Sequence, residues 1–291
     1  MRIAVLGGNG FLGTQIRVTL ENLNFEVACL HRSFHLGCTF GTGFDLFRPS
    51  KLFDFLEAFR PDVLIVAAWV TDLSSYKNSP MNYEYNKAIH ELAIRLVSRR
   101  SIHLIVLGSC AEYGIDGGRC ATNISTINTT NLYSEAKSDC YKKLDKLFSN
   151  SNSRLNWFRV FQPYGVGQDS LRLIPSAINK FKRDKQFILE NPHSISDWIT
   201  SRDVASAVAF CIQIPSQQVL DVGTGVPTTN LELLKLLSWK MEVCDDLIIT
   251  GDGVESPSLF LDIEHSALHN AGWSHKDDLS SGLDWILESC R

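Results

Sequence analysis

The stretch MRIAVLGGNGFLG, residues 1–13, decides the fold class of this chain. Its apolar run Ile3–Leu6 is typical of a buried parallel strand, and the run breaks off at Gly7. From Phe11 onwards, apolar residues recur in a pattern that suits a helix packed on a sheet. The stretch therefore predicts a strand, a glycine-rich turn and a helix, in that order.

A turn of this composition favours dinucleotide binding. Gly7 allows a tight turn, Gly10 leaves room for phosphates, and Gly13 lets the helix lie close to the strand. Backbone N–H groups in such a turn approach a pyrophosphate closely, and the helix N-terminus adds partial positive charge. An ordinary glycine-rich turn is the alternative, but the strand and helix on either side favour the nucleotide site.

Composition excludes several classes of protein. The chain has 291 residues, a net charge of −4, 44% hydrophobic and 21% charged residues, and no long basic run, so we expect neither a nucleic acid nor a membrane as partner. No apolar run approaches the length of a membrane helix, and the first strand leaves no room for a signal peptide. The eight cysteines form no C-x-x-C pair, and the histidines show no ligand spacing. We therefore expect a cytoplasmic protein with reduced thiols and no metal site.

Apolar runs and helical patterns alternate through the first half of the chain. We predict further strands over Phe25–Leu30, Thr42–Leu46, Val63–Val70, His103–Leu107 and Leu155–Phe161. We predict helices over Leu52–Phe59, Tyr83–Val97, Tyr133–Phe148, Leu173–Phe181, Asp203–Ile212 and Asn230–Leu237. This alternation predicts an α/β fold, a Rossmann-type doubly wound parallel sheet, with a smaller α/β substrate-binding lobe. We place the dinucleotide-binding domain at residues 1–162, with 195–215 returning to it, and the substrate-binding lobe at 163–291.

Five motifs then follow one another along nearly the whole chain. They are GGNGFLG at 7–13, GSCAEYG at 108–114, YSEAK at 133–137, RVFQPYG at 159–165, and DWI at 197–199 with DVA at 203–205. In this order the chain resembles the extended short-chain dehydrogenase/reductase family, in its NAD-dependent epimerase/dehydratase group, which acts on nucleotide-linked sugars. Within that group it is similar to nucleotide-sugar 4-ketoreductases.

Tyr133 and Lys137 are four residues apart on a predicted helix and so share one face. An ammonium beside a phenol lowers the phenol pKa, which would suit Tyr133 to proton transfer. A surface pair without a role is the alternative. The resemblance adds Ser109, four residues before the Tyr-Gly pair, as the hydroxyl that binds the substrate oxygen. We therefore predict Ser109, Tyr133 and Lys137 as the catalytic residues.

The residues after Ser109 argue against dehydration. Family dehydratases usually carry an Asp-Glu pair there, whereas this chain has Cys110 and Ala111. Glu112 lies one position too late to replace that pair, although we expect both Cys110 and Glu112 to contact substrate.

The end of the second strand predicts the cofactor. The resemblance places His31 where NAD-binding relatives have an acidic residue, and Arg32 with Ser33 offers donors for a 2′-phosphate. We therefore favour NADP(H), with NAD(H) as the alternative. The resemblance implies further cofactor contacts from Asn9, Phe11, Leu12, Asp45, Leu46, Ala67, Ala68, Pro163 and Tyr164, besides the three glycines, Tyr133 and Lys137.

A nucleotide-diphosphate sugar is the substrate that the resemblance implies. Gln162 stands where relatives usually have an asparagine that contacts it. Relatives commonly have an arginine for the diphosphate where this chain has Ser196, so Arg172, Lys180 or Arg202 is expected to supply the charge instead.

These observations predict an NADPH-dependent reduction of a nucleotide-linked 4-keto-6-deoxy sugar to a deoxysugar nucleotide. An NAD-dependent epimerase with the same catalytic residues is the nearest alternative. A dinucleotide-binding sensor without catalysis is a third, although such proteins usually lose Tyr133 or Lys137. The resemblance also implies a homodimer formed by the helices Tyr83–Val97 and Tyr133–Phe148.

Overall fold

The computed structural model describes residues 1–32, 43–70, 72–114, 118–122, 124–213, 218–253 and 258–290. Its strands are β1 Arg2–Leu6, β2 Glu26–Leu30, β3 Val63–Val66, β4 His103–Leu107, β5 Gly118–Cys120, β6 Arg154–Val160, β7 Gln162–Tyr164, β8 Phe187–Leu189, β9 Ile195–Thr200, β10 Gln218–Val222, β11 Pro227–Thr229, β12 Ile248–Thr250 and β13 Leu259–Leu261. Its α-helices are α1 Phe11–Asn22, α2 Ser50–Phe59, α3 Met81–Val97, α4 Leu132–Ser149, α5 Leu173–Phe181, α6 Ser201–Cys211, α7 Asn230–Lys240, α8 Ala267–Asn270 and α9 Leu279–Ser289.

In these residues, six strands form one parallel sheet in the order β10-β6-β4-β3-β1-β2. Successive side chains of a strand point to opposite faces, and β1 shows this division. Ala4 and Leu6 pack with α2, α3 and α4, whereas Ile3 and Val5 pack with α1 and α6. Helices thus cover both faces, and the expected doubly wound parallel sheet is confirmed.

A second, smaller layer lies beyond this sheet. Strands β11, β9, β13 and β5 form it, and β7 pairs with β9. Helices α5, α7 and α9 pack into one apolar cluster beside it. Asp197 of β9, fully buried, accepts hydrogen bonds from the N–H groups of Thr224, Gly225 and Leu261 and from the Thr224 hydroxyl. The expected smaller α/β lobe is therefore present.

The two lobes interleave along the chain. Of the range 195–215 expected to return to the first lobe, α6 packs on α1, whereas β9 belongs to the second layer. Strand β10, beyond that range, is an edge strand of the parallel sheet.

Two strand predictions differ from the structure. The strand expected over Thr42–Leu46 is wrong in its described part, because Asp45 forms only an isolated bridge with Arg48. Phe44 and Leu46 are instead buried in the core cluster that includes α2. The strand expected over Val63–Val70 ends at Val66. Among the described residues, no helix combines the length and apolar character needed to cross a bilayer.

Candidate active site

The glycine-rich turn joins β1 to α1 at the carboxyl end of the parallel sheet. Gly7 has a φ of +84°, which favours glycine, and its N–H donates to Leu30 O over 2.8 Å. Gly10 donates to Gly7 O over 2.9 Å and precedes α1 with no side chain capping that helix. A Cβ on Gly13 would collide with the Gly7 carbonyl oxygen, so the helix can lie this close only with glycine there.

This turn fits the phosphates of a dinucleotide. The N-terminus of α1 carries N–H groups that no described side chain caps, and Gly10 beside them is exposed. Asn9, Phe11 and Leu12 are half-buried around the turn, and Asn9 Oδ1 accepts a hydrogen bond from Cys29 Sγ. The backbone of Ala67 and Ala68 packs directly against Gly7.

The proposed cofactor-discriminating residues lie at the end of β2. His31 is buried and its carbonyl accepts from Phe44 N over 3.1 Å, while Arg32 is exposed. That bond brings the half-buried Asp45 close to the end of β2, and Asp45 Oδ1 accepts from Phe47 N. Leu46 is a core residue, 6% exposed, which differs from the expectation that it contacts the cofactor. Ser33 lies outside the described residues.

Ser109 and Tyr133 meet at the end of β4. Ser109 begins a short 3-10 helix, Cys110–Tyr113, and its Oγ accepts from Ala111 N over 3.2 Å. Asn131 and Ser134 cap α4 reciprocally, which fixes Tyr133 in the first turn of that helix. The Tyr133 phenol lies near the Ser109 side chain. The structure thus brings a hydroxyl and a phenol together at the edge where parallel sheets bind ligands.

Lys137 lies one turn further along α4 and is 3% exposed. Its Nζ donates to Leu107 O over 2.5 Å and lies 4.0 Å from the ring centroid of Trp69 and 5.8 Å from that of Tyr133. Burial lowers the pKa of Lys137 to about 8, and the carboxylate of Glu112 opposes that shift.

The expected lowering of the Tyr133 pKa by Lys137 is not found. Burial raises the pKa of Tyr133 above its usual range, and the nearby Ser109 side chain only opposes this rise. Tyr133 is therefore a protonated phenol at neutral pH.

Glu112 does not face a substrate space, contrary to expectation. It is fully buried, and its Oε1 accepts from Ser109 N and Trp157 Nε1 over 3.0 and 2.9 Å. Its Oε2 pairs with Arg159 Nε at 3.0 Å. The carboxylate holds the 3-10 helix and β6 together beneath Ser109.

The other predicted substrate residues divide into two groups. Cys110 is half-buried beside Ser109, where burial raises the pKa of its thiol, and Gln162 is half-buried on β7. Arg172 precedes α5, and its guanidinium lies 5.5 Å from the ring centroid of Tyr76. Arg202 does not join them, because it forms a bidentate pair with Asp277 at 2.6 and 2.8 Å.

The segment after β6 also divides. Pro163 is half-buried, but Tyr164 is 1% exposed and packs against Trp198 in the apolar cluster of the second lobe. Tyr164 is therefore a core residue, and the expectation that it lines the nicotinamide is wrong.

Three residues that lie around Tyr133 and Lys137 were not predicted from the sequence. Trp69 contacts Lys137, and Tyr76 packs edge-on against Tyr133 with ring centroids 5.2 Å apart. Asn82, fully buried in the first turn of α3, binds to Trp69 and to the Tyr76 carbonyl. A large aromatic residue directly after the strand that ends near Ala67 is the sequence feature that points to Trp69.

A family model described as the NAD-dependent epimerase/dehydratase family matches residues 3–223 of the chain. No curated protein sequence matches the chain.

Several solved structures share the fold. UDP-glucose 4-epimerase from Thermotoga maritima, solved with UDP-glucose, has 18% identity and a TM-score of 0.88, with 100% of this chain and 99% of that chain covered. dTDP-glucose 4,6-dehydratase from Bacillus anthracis, solved with NAD, has 17% identity and a TM-score of 0.84, with 99% and 96% covered. RMD from Pseudomonas aeruginosa, solved with NADPH, has 21% identity and a TM-score of 0.82, with 99% and 97% covered.

Proposed function

The chain belongs to the NAD-dependent epimerase/dehydratase family, and we propose that it is an NADPH-dependent ketoreductase. Its substrate is a nucleotide-linked 4-keto-6-deoxy sugar, and its product is the deoxysugar nucleotide. The placement of the Ser109 hydroxyl near the Tyr133 phenol at the end of β4 carries this proposal.

Proton donation is the step that Tyr133 suits best. Because burial raises its pKa, the phenol holds its proton at neutral pH and can give it to an oxygen that becomes an alkoxide. Ser109 donates a hydrogen bond to the same oxygen as charge develops. A bound nicotinamide supplies the hydride.

Lys137 acts beside this pair. Its ammonium is held by Leu107 O and by the Trp69 ring, one helical turn from Tyr133. From there it holds the hydroxyls of the nicotinamide ribose.

The residues after Ser109 disfavour water elimination. Cys110 has a raised thiol pKa and Ala111 has no acidic group, so neither protonates a leaving hydroxyl. Glu112, the nearest carboxylate in sequence, is fully buried and paired with Arg159.

NADPH is favoured over NADH by the end of β2. Exposed Arg32 offers a planar donor fork to a 2′-phosphate, and buried His31 occupies the position of an acidic residue that would repel it. The structure of RMD with NADPH supports an NADP(H) site in this fold.

Arg172 is the residue that we assign to the substrate diphosphate. It stands at the N-terminus of α5 next to Tyr76, and Tyr76 in turn packs against Tyr133. Arg202 is excluded because Asp277 neutralises it. The epimerase structure with UDP-glucose supports a nucleotide-diphosphate sugar as the ligand class.

Turnover of Tyr133→Phe tests the proposal. We expect kcat for NADPH oxidation with a 4-keto-6-deoxy sugar nucleotide to fall about 10²- to 10⁴-fold, because the general acid is lost. NADPH affinity, measured by fluorescence titration, stays nearly unchanged. Tyr141→Phe is the matched control, since Tyr141 lies on the same helix, and it retains turnover. Full activity in Tyr133→Phe would refute the mechanism.

NAD-dependent epimerisation is the second candidate, favoured by the family itself and by the same catalytic trio. The two differ in net redox change, because an epimerase returns the hydride to the same carbon. Titration of the protein with NADPH and NADH distinguishes them: tighter NADH binding, or NAD⁺ retained through purification, would favour the epimerase.

A homodimer completes the proposal. Helices α3 and α4 pack side by side, and α3 exposes Tyr83 and Ile94 to 42% and 45%. These residues are eleven positions apart, about three helical turns, so they share one face. Two copies of the α3–α4 pair would cover that face.

A further inference from the structure

The carboxamide of Asn82 makes three hydrogen bonds in the interior. Its Oδ1 accepts from Trp69 Nε1 over 2.8 Å, and its Nδ2 donates to Tyr76 O and Ser79 O over 2.6 and 2.9 Å. Asn82 is fully buried. Because both amide protons and the oxygen are engaged, the side chain is fixed in a single orientation.

Two of the three partners of Asn82, Trp69 and Tyr76, contact Lys137 and Tyr133 respectively. On one side, the ring of Trp69 lies 4.0 Å from Lys137 Nζ. On the other, Tyr76 packs edge-on against Tyr133, and Lys77 O accepts from Tyr133 N over 2.9 Å. Asn82 therefore holds both the Trp69 ring, which lies beside the Lys137 ammonium, and the segment of Tyr76 and Lys77, which contacts Tyr133.

We propose that Asn82 is a positioning residue, which rests on the function proposed above: through Trp69 and the 72–80 segment it holds Lys137 and Tyr133 in the geometry that proton transfer requires. Asn82 touches neither substrate nor cofactor in this account. A displacement of the phenol by about 1 Å costs on the order of 10²-fold in rate, so the loss of a positioning contact is measurable.

A purely structural role would predict a different result. Asn230 provides the comparison, because it is also a buried amide at the start of a helix, and its Nδ2 donates to Asn191 O over 3.0 Å in the other lobe. We expect Asn82→Ala to lower kcat about 10- to 10²-fold with the KM for the sugar nucleotide within about threefold. Asn230→Ala lowers thermal stability but keeps kcat. Equal kcat in both variants and the wild type would overturn the proposal.

A double-mutant cycle with Trp69→Phe tests the route to Lys137. Phenylalanine keeps an aromatic ring at this position but lacks the pyrrole part of the indole, including the N–H that Asn82 binds. We expect Trp69→Phe to lower kcat in the wild-type background and to add little in Asn82→Ala, because both changes break the same bond. Effects that multiply independently would overturn this route. Trp69→Phe also keeps the test valid should Asn82→Ala fail to fold.

A readout without turnover separates this inference from the proposed function. The chain has six tryptophans, so a ¹⁵N-indole spectrum has few signals, and that of Trp69 is identified by its loss in Trp69→Phe. We expect this signal to shift in Asn82→Ala and in Lys137→Met, and to stay in place in Asn230→Ala. If these shifts are observed but no sugar nucleotide is turned over, the proposed function is contradicted and the positioning contacts of Asn82 are still supported. If the Trp69 signal is unchanged in Asn82→Ala, the positioning role of Asn82 is contradicted, whatever reaction the chain catalyses.

Discussion

At Lys137, the interior of the protein disfavours the charge of the side-chain ammonium. The ammonium is 3% exposed, and a single carbonyl and an indole ring replace the water that it would otherwise bind. Burial therefore lowers its pKa from 10.5 to about 8. A residue kept at such a cost is a common feature of functional sites.

We predict that Lys137→Met inactivates the enzyme and stabilises the fold at neutral pH. Below about pH 8 the wild-type ammonium is charged in both folded and unfolded chains, and its burial costs up to about 3 kcal/mol. Between about pH 8 and 10.5 the unfolded chain binds more protons than the folded one, so wild-type stability rises with pH. The advantage of Lys137→Met thus shrinks across this range.

Urea unfolding at pH 7 and pH 10.5 measures both effects. A variant that is less stable than the wild type at pH 7, or whose difference does not change with pH, would contradict this origin of the shift.

Sequence spacing predicted that Tyr133 and Lys137 share one face of a helix, and the family resemblance added Ser109 at the end of a strand. It could not foresee the pairing of Arg202, whose partner Asp277 lies 75 residues further along the chain. The raised pKa of Tyr133 was likewise out of reach, because it depends on burial by segments that are distant in sequence.

At the scale of elements, the turn between β1 and α1 separates two roles of glycine. Gly10 has a φ of −73° and a ψ of 172°, which alanine also adopts, and an added Cβ would lie 3.1 Å from Gly7 O. Gly13 has no such space, because its Cβ would strike the Gly7 carbonyl. Gly10 therefore leaves room for the proposed cofactor, whereas Gly13 allows α1 to pack closely on β1.

We predict opposite outcomes for the two alanine variants. Gly10→Ala keeps the fold and weakens NADPH binding about tenfold or more, since the methyl group occupies the approach to the phosphates. Gly13→Ala lowers the free energy of unfolding by about 1 to 3 kcal/mol, the usual cost of overpacking. Cofactor titration and urea unfolding of both variants measure this, and equal losses of stability would contradict it.

The pair between Glu112 and Arg159 joins the 3-10 helix to β6. Both side chains are buried, at 0% and 4% exposure. We predict that Glu112→Gln lowers the free energy of unfolding by about 3 to 5 kcal/mol, because it leaves the Arg159 charge in the interior without its partner. Chemical denaturation measures the loss.

Glu57→Gln is the control, because its carboxylate pairs with Arg99 while the two side chains are 44% and 54% exposed. It should change stability by less than about 1 kcal/mol. Similar losses in both variants would mean that burial does not set the strength of the Glu112 pair.

Most strands of the parallel sheet were predictable because each carries its own apolar run, but β10 was not among the predicted strands. The strand over His103–Leu107 and the helix over Leu173–Phe181 have the predicted bounds. The second layer was not predictable, because its strands are as short as three residues and pair with distant partners, such as β13 with β5. Such strands carry too few residues for an alternating pattern.

At the scale of the molecule, the exposed face of α3 is the feature that bears on assembly. We predict a homodimer in solution that Ile94→Glu converts to a monomer, because the charge would be buried against the partner. Sedimentation velocity measures the change. Ile188→Glu is the control, since Ile188 is 62% exposed on the other lobe and its variant stays dimeric. A wild-type monomer would rule out this assembly.

The hydrogen bonds of Asp197 bear on how the protein unfolds. Its carboxylate, on a strand of the second layer, accepts hydrogen bonds from Thr224 and Gly225, directly after the last strand of the parallel sheet. The two lobes are thereby joined at one buried carboxylate, so we expect them to unfold together. Heating should therefore produce a single endotherm, and proteases should find no autonomous nucleotide-binding fragment to release.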